Sequence, residues 1–408
     1  MKAYLHIGTE KTGTTAIQYF LVSNRKYLLE DGFLYPHSPE ETKEPKLAPF
    51  AHTKIAAFSM KANPLQDIHK YLQITNAENF LKLQNNFQNE LAQELNQTKA
   101  TTVVFSNEHC SSRLFLKEEI ERLKKLLEPF FEEIKIIIYL RRQDKFLLST
   151  YSTSVIGGHT KPFELPSKKN IEQRYDYWNI LKKWESVFGR ENVIVRIFER
   201  EQMFGGDLLS DFTNLLKIDS IQKYKTAKTL NESLDADSLE YLRLINHYVP
   251  RFIDNDINQN RVKILHALRN YSKYYSNKNY SSMPKEMVEN FMLNFDESNR
   301  QVANYFLNCS DGKLFKNDFH SEDNSSYTKL TIKKAFEITT YLLKDRIKQM
   351  YQHANRKLEL SFSSKCSVAV CAGNYLAVIT DRLSRVTWMG LVASKVFAML
   401  ASRLLGRK

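Results

Sequence analysis

The chain has 408 residues and carries a formal charge of +13, with 42% hydrophobic and 26% charged residues. That is long enough for one large domain or two, with a well-filled core, and it excludes a disulfide-stapled miniprotein, a collagen-like fibre or a disordered chain. Four cysteines, Cys110, Cys309, Cys366 and Cys371, have neither metal-ligand spacing nor the density of a disulfide framework, which fits a reducing compartment. The chain opens on a strand-like run instead of a basic segment followed by an apolar one, so a cytoplasmic enzyme is expected.

In chain order, the apolar run at 2–7 predicts a first strand. It leads through His6-Ile7-Gly8-Thr9-Glu10-Lys11-Thr12-Gly13-Thr14-Thr15 into a helix over 14–30. A turn at Asp31-Gly32 and a short extended piece, Phe33-Leu34-Tyr35, follow. The proline-bearing stretch 37–50 reads as a loop, and helices are predicted over 51–62 and 78–97. Thr101–Phe105, β-branched and aromatic, is a buried strand, followed by the loop Ser106-Asn107-Glu108-His109. A charged amphipathic helix spans 117–128, and Ile134–Leu140 is the clearest strand in the chain. Another helix starts near Asp144, an amphipathic one covers 173–187, and Val193–Phe198 is a further strand. Strands alternating with helices predict an α/β fold, a P-loop-like parallel sheet with helices on both faces. After residue 230 the pattern is helical and polar, with a loop at 308–328 and a helix over 331–358. The expected organisation is therefore an α/β core over 1–230, a helical part over 231–360 that completes the domain and its cleft, and a tail over 361–408.

The first loop has the order that aims backbone N–H groups and a helix N-terminus at a phosphate: strand, glycine-bearing turn, helix. Gly8 and Gly13 have the Walker A separation, but the lysine is Lys11, inside the loop, and Thr14 occupies the usual lysine position. Lysine and hydroxyls still converge on an anion, while the geometry for a magnesium-bound γ-phosphate is altered. Two further stretches lie at strand ends, where open α/β sheets bind ligands. One is Tyr139-Leu140-Arg141-Arg142-Gln143-Asp144 running to Ser149 and Tyr151; an arginine at a strand end offers a bidentate fork, with Arg141 and Arg142 as alternatives. The other is Glu108-His109, two candidate bases side by side.

Lys11-Thr12-Gly13-Thr14-Thr15 resembles the phosphosulfate-binding loop of the sulfotransferases that use 3′-phosphoadenosine 5′-phosphosulfate (PAPS), and the match runs on through Ala16 and Leu21 as in carbohydrate-type members. The stretch from Arg141 through Gln143, Phe146, Ser149 and Tyr151 resembles the R-x-Q-x-x-F-x-x-S-x-Y form of bacterial carbohydrate sulfotransferases. The resemblance covers about residues 1–245. It implies that Lys11, Thr12, Gly13, Thr14 and Thr15 hold the 5′-phosphosulfate, with Lys11 on the leaving oxygen. It implies Arg141 and Ser149 on the 3′-phosphate, Glu108 as the acceptor base with His109 as runner-up, and His52 at the acceptor or sulfate. Glu10 is read as a solvated loop residue, and Arg196 as structural or a pocket wall. Asn231-Glu232-Ser233-Leu234 matches a family segment whose role the residues do not define. No metal-ligand motif is present, which agrees with a transfer that needs no metal. The competing readings are an atypical P-loop kinase and a non-enzymatic nucleotide-binding module.

Charge is uneven: 361–408 carries +6 and the preceding 360 residues +7. The basic body suits a polyanionic nucleotide and a carbohydrate or glycolipid acceptor; no nucleic-acid-binding signature is present. On a helix, Arg382, Arg385, Lys395, Arg403 and Arg407 fall within about 140° of one face, the pattern of a basic amphipathic segment lying on an anionic membrane. Packing of that segment on the protein's own core, or on a partner, is the alternative. The membrane reading implies peripheral attachment and a lipid-linked glycan acceptor at the inner leaflet.

Overall fold

The computed structural model describes residues 1–37, 52–61, 67–218, 223–225, 233–254, 256–275, 280–281, 284–316, 326–327 and 330–345. Its centre is a five-stranded parallel sheet: β1 (Lys2–Gly8), β2 (Phe33–Leu34), β3 (Thr102–Ser106), β4 (Glu133–Leu140) and β5 (Val193–Ile197). The spatial order is β2-β3-β1-β4-β5. The strands are buried on both faces because helices cover both, which is why they read in sequence as unbroken β-branched runs. Alternate residues feed two cores. Ala3, Leu5, Ile7, Ile136, Ile138 and Leu140 join one, and Tyr4, Val104, Ile137 and Tyr139 join the other.

The first core is closed by helices α3 (Thr53–Ser59), α5 (Ala77–Gln97), α7 (Lys117–Leu127), α10 (Tyr177–Phe188) and α15 (Asp296–Leu307). The second is closed by α1 (Thr14–Ser23), α2 (Arg25–Glu30) and α11 (Leu208–Leu215), through Ile17, Phe20, Leu28 and Phe212. Burying each such side chain contributes roughly 1.5–3 kcal/mol, so the sheet is the rigid base on which the strand-end loops stand.

Two predicted helices are broken. The helix expected over 14–30 ends at Ser23, where buried Asn24 leaves helical geometry and ties the last turn to a remote segment. Asn24 Nδ2 donates to the carbonyls of Phe20 (2.8 Å) and Lys225 (2.9 Å), and its Oδ1 accepts from the Lys225 N–H at 2.8 Å. The helix expected over 173–187 is two, α9 (Lys168–Arg174) and α10. Asp176 caps α10 by accepting from the Asn179 N–H at 3.1 Å, and it also accepts from Ser298 Oγ at 2.7 Å. The loop expected at 106–109 turns at once into a short helix, α6 (His109–Arg113).

The chain forms two compact units. One takes Met1–Ser149, Leu165–Leu230 and Glu286–Glu322; the other takes Thr150–Glu164, Asn231–Lys285 and the described residues after Asp323. The expected division at 230 therefore marks one crossing only. Residues 286–307, assigned to the helical part, belong to the first unit, where Val302, Ala303 and Phe306 of α15 enter the core beneath α10. The second unit is helical and has its own core, with Leu239, Leu242 and Ile245 on α12 (Ala236–Ile245) against Ile264, Leu268 and Tyr271 on α13 (Gln259–Tyr275) and Ile338 on the helix over 332–345. Helix α8 (Gln143–Ile156) carries Ser149 in the first unit and Val155 in the second. Among the described residues no helix is long and apolar enough to cross a membrane. The tail over 361–408 and the Asn231-Glu232 segment lie outside the described residues.

Candidate active site

The strand order fixes where a ligand can bind. The chain leaves β1 toward β2 on one side of the sheet and leaves β4 toward β5 on the other. The crevice beyond the carboxyl ends of β1 and β4 is thus the switch point of the sheet. The loop 9–13 follows β1 and Arg141 follows β4, and they meet there: Arg141 Nη1 donates to the Lys11 carbonyl at 2.8 Å.

The loop is held from inside. Thr9 donates twice to the Tyr139 carbonyl, from N–H (2.9 Å) and Oγ1 (3.0 Å), and buried Thr12 returns its hydroxyl to the Thr9 carbonyl at 2.6 Å. Thr12 therefore shapes the loop through its side chain. Gly13 caps α1 at φ 76°, and a Cβ there would stand 2.3 Å from Leu208 Cδ2. Gly8 has φ 91°, and a Cβ would meet the Glu108 Cβ at 2.9 Å. Only glycine fits both positions, and at Gly8 its absence of side chain lets the Glu108 loop close onto the Lys11 loop. The N-terminus of α1 has no side-chain cap, and among the described residues the Thr14 and Thr15 hydroxyls have no protein partner.

Lys11 adopts φ 66° at the loop tip, half-buried. Its ammonium makes no ion pair among the described residues. Burial pulls it below the ordinary lysine value; the fields of Glu10 and Glu108 oppose this, and Arg141 and Arg174 reinforce it. Arg141 is likewise without a carboxylate partner among the described residues, lies over the Phe198 ring at 5.7 Å, and is lowered chiefly by burial. Its carbonyl accepts from Tyr177 Oη, which fixes the backbone. The alternative, Arg142, is buried and forked onto Asp144 at 2.8 and 3.0 Å. Of the two arginines, Arg141 is the one left for an anion. Ser149 sits on α8, six residues beyond Gln143.

Glu108 stands at the N-cap of α6 but makes no capping bond with its side chain; Asn107 Oδ1 takes the His109 N–H instead, at 3.0 Å. The Glu108 carboxylate accepts from Gln18 Nε2 of α1 at 2.8 Å. His109 lies in a different group. Its Nδ1 is 3.8 Å from Glu10 Oε1, too long for a hydrogen bond, and has no partner.

Glu10 corrects the reading of a solvated loop residue. It is mostly buried and pairs with Arg174 of α9, with Arg113 of α6 at 3.5 Å, and with Ser112 Oγ at 3.0 Å. Burial would raise its carboxyl, but Arg174 and then Arg113 outweigh that and hold it below the ordinary value. The sequence hid this cluster because the partners come from separate elements.

His52 is corrected too. It is buried at the start of α3 with both ring nitrogens taken by backbone: Nδ1 accepts from the Ser106 N–H at 3.1 Å, so Nε2 carries the proton and donates to the Pro36 carbonyl at 3.0 Å. Tyr35 and Phe105 enclose the ring at 4.4 and 5.5 Å. It braces β3 and has no nitrogen left for an acceptor or a sulfate. Arg196 forks onto Asp211, which also accepts from Tyr139 Oη and the Phe204 N–H at 2.7 Å each. It is a structural arginine.

Fold and site together define the class: an α/β protein with a P-loop-like parallel sheet that presents at its switch point an open helix N-terminus and two cations without a carboxylate partner among the described residues. No protein-family profile matches the chain. An uncharacterized protein of Archaeoglobus fulgidus is 29% identical over 195 residues, 47% of this chain and 51% of that protein. The chain thus matches about half the length of this curated relative. Among solved structures, a sulfotransferase from Alicyclobacillus acidocaldarius is similar over 59% of this chain and 93% of its own, with 18% identity and a TM-score of 0.34.

Proposed function

We propose that the protein is a PAPS-dependent sulfotransferase acting on a carbohydrate hydroxyl. The observation that carries this reading is the pair of cations at the switch point, Lys11 and Arg141, joined through the Lys11 carbonyl and without carboxylate partners among the described residues. Partly buried cations left unpaired are unfavourable until an anion arrives. Two of them, beside an uncapped helix N-terminus, suit a ligand with two anionic groups. A nucleotide bearing a 5′-phosphosulfate and a 3′-phosphate has that charge pattern. The displaced lysine and Thr14 in the Walker position argue against an ATP γ-phosphate site.

The residues divide the work as follows. Glu108 takes the proton of the acceptor hydroxyl, and that oxygen attacks the sulfur. The sulfur–oxygen bond to the 5′-phosphate breaks in line, and Lys11 neutralises the charge on the leaving phosphate oxygen. Backbone N–H groups of Gly13, Thr14 and Thr15, with the two threonine hydroxyls, cradle the 5′-phosphate, and Arg141 with Ser149 anchors the 3′-phosphate. Among the described residues no cluster of His, Cys, Asp and Glu is placed to hold a metal ion, and none of these steps is assigned to one. The carbohydrate acceptor rests on the likeness of the Arg141–Tyr151 stretch to carbohydrate sulfotransferases. The basic pattern of 366–408 supports a peripheral contact with anionic membrane and a glycolipid acceptor. Liposome flotation with and without 366–408 tests that part, and equal flotation removes it.

Transfer of labelled sulfate from PAPS to a panel of polysaccharides and glycolipids tests the reaction. The expected result is transfer to at least one, lowered by ~10²–10⁴ in Glu108→Gln. Undiminished transfer in that variant would take the base role from Glu108.

A further inference from the structure

The proposed base and the proposed leaving-group lysine carry opposite charges, and the field of Glu108 acts on Lys11. A direct Glu108–Lys11 pair would disarm both: the carboxylate would lose basicity and the ammonium would be neutralised before the substrate arrived. Among the described residues no such pair forms. The Glu108 carboxylate is instead held by Gln18, whose Nε2 donates to Oε2 at 2.8 Å. Gln18 lies on the second turn of α1, the helix whose N-terminus faces the anion site, and it is 1% exposed. A buried glutamine in a helix interior is costly unless its amide is used. Among the described residues Glu108 is the acceptor of its Nε2, and its Oε1 is buried without a protein partner.

We infer that Gln18 is a positioning residue: it holds the Glu108 carboxylate oriented and off the Lys11 ammonium. This rests on the reading of Glu108 as the acceptor base. One helix then sets both halves of the reaction, presenting its N-terminal N–H groups to the donor phosphate and, a turn later, a side-chain donor to the base. Fixing a flexible glutamate beside cations that attract it is a task that packing alone does not perform.

The test is Gln18→Met, which keeps the length and apolar bulk and removes the donor together with the orphaned Oε1. The expected result is a kcat lower by about 10–100-fold with 3′-phosphoadenosine 5′-phosphate affinity within about threefold. The acidic limb of the pH–rate profile moves to higher pH, because a donor to the ionised carboxylate has gone. In a Glu108→Gln background the same substitution adds no further loss. A second variant, Gln18→Glu, is isosteric; two carboxylates would share one proton, so its activity falls as pH rises and both ionise. The inference is overturned if Gln18→Met leaves rate and pH profile unchanged, or if it lowers melting temperature and bisphosphate affinity together with an unmoved profile and a loss additive with Glu108→Gln. If Glu108→Gln itself transfers at the full rate, the base assignment fails, and that result is separate from the behaviour of Gln18.

Discussion

Lys11 and Arg141 are the residues whose state a ligand changes most. Because burial holds the free Lys11 ammonium below its ordinary value, binding of an anion next to it favours the charged form. Bisphosphate binding at alkaline pH is therefore expected to take up protons, measured by calorimetry in buffers of different ionisation heat, and Lys11→Met should abolish the uptake. The same variant should lose about 10²–10⁴ of the transfer rate and also weaken bisphosphate binding, since the phosphate charge that the lysine neutralises as it develops is fully present in the product. His6 makes an independent prediction. It is fully buried on β1, Nδ1 bonded to Ser106 Oγ at 2.8 Å, and burial lowers it to about 3. The unfolded chain binds a proton that the folded one refuses, so the folded state loses stability as pH falls below the ordinary histidine value of about 6.5. The loss grows by about 1.4 kcal/mol per pH unit until the folded ring titrates. Denaturant melts at pH 7 and pH 5 should show it, and His6→Gln should flatten the dependence.

At the scale of elements, the site is a set of strand-end loops locked to one another. Glu10 ties the loop after β1 to α6 through Arg113 and Ser112, and to α9 through Arg174. Glu10→Gln leaves Arg174 without its acid, while Arg113 keeps its pair with Asp67 at 2.9 Å; the change is expected to cost roughly 1–3 kcal/mol in denaturant melts and to loosen the tip that carries Lys11. An unchanged melt would reduce the clamp to a surface contact. These interactions also mark where the sequence ran out. The strands were legible because burial on both faces demands unbroken apolar runs, and the loop after β1 because its glycines and lysine have a spacing with few other uses. The breaks at Asn24 and at Tyr175-Asp176 were not, because their partners Lys225 and Ser298 are remote in sequence. Helix α6, His-Cys-Ser-Ser-Arg, is too short and too polar to carry a period. The choice between Arg141 and Arg142 turned on Asp144, whose fork with Arg142 no spacing rule announces.

At the scale of the whole molecule, the strand order β2-β3-β1-β4-β5 brings the ends of β1, β3 and β4 side by side. The three stretches singled out in the sequence, around Lys11, Glu108 and Arg141, each follow one of those strands, and all lie in the first unit. That convergence is a property of topology: the stretches are about 100 and 130 residues from the first loop in sequence and adjacent only because β1 is central. His52, with both ring nitrogens bonded to backbone, serves as a brace. The central claim is that this convergence is built for a nucleotide with phosphates on both its 3′ and 5′ sides. Titration of the protein with 3′-phosphoadenosine 5′-phosphate and with ATP–Mg²⁺ tests it. The account predicts tighter binding of the bisphosphate, in the micromolar range, weakened at least about tenfold, or 1.4 kcal/mol, by Arg141→Ala. Preference for ATP–Mg²⁺, or bisphosphate affinity indifferent to Arg141, would contradict it.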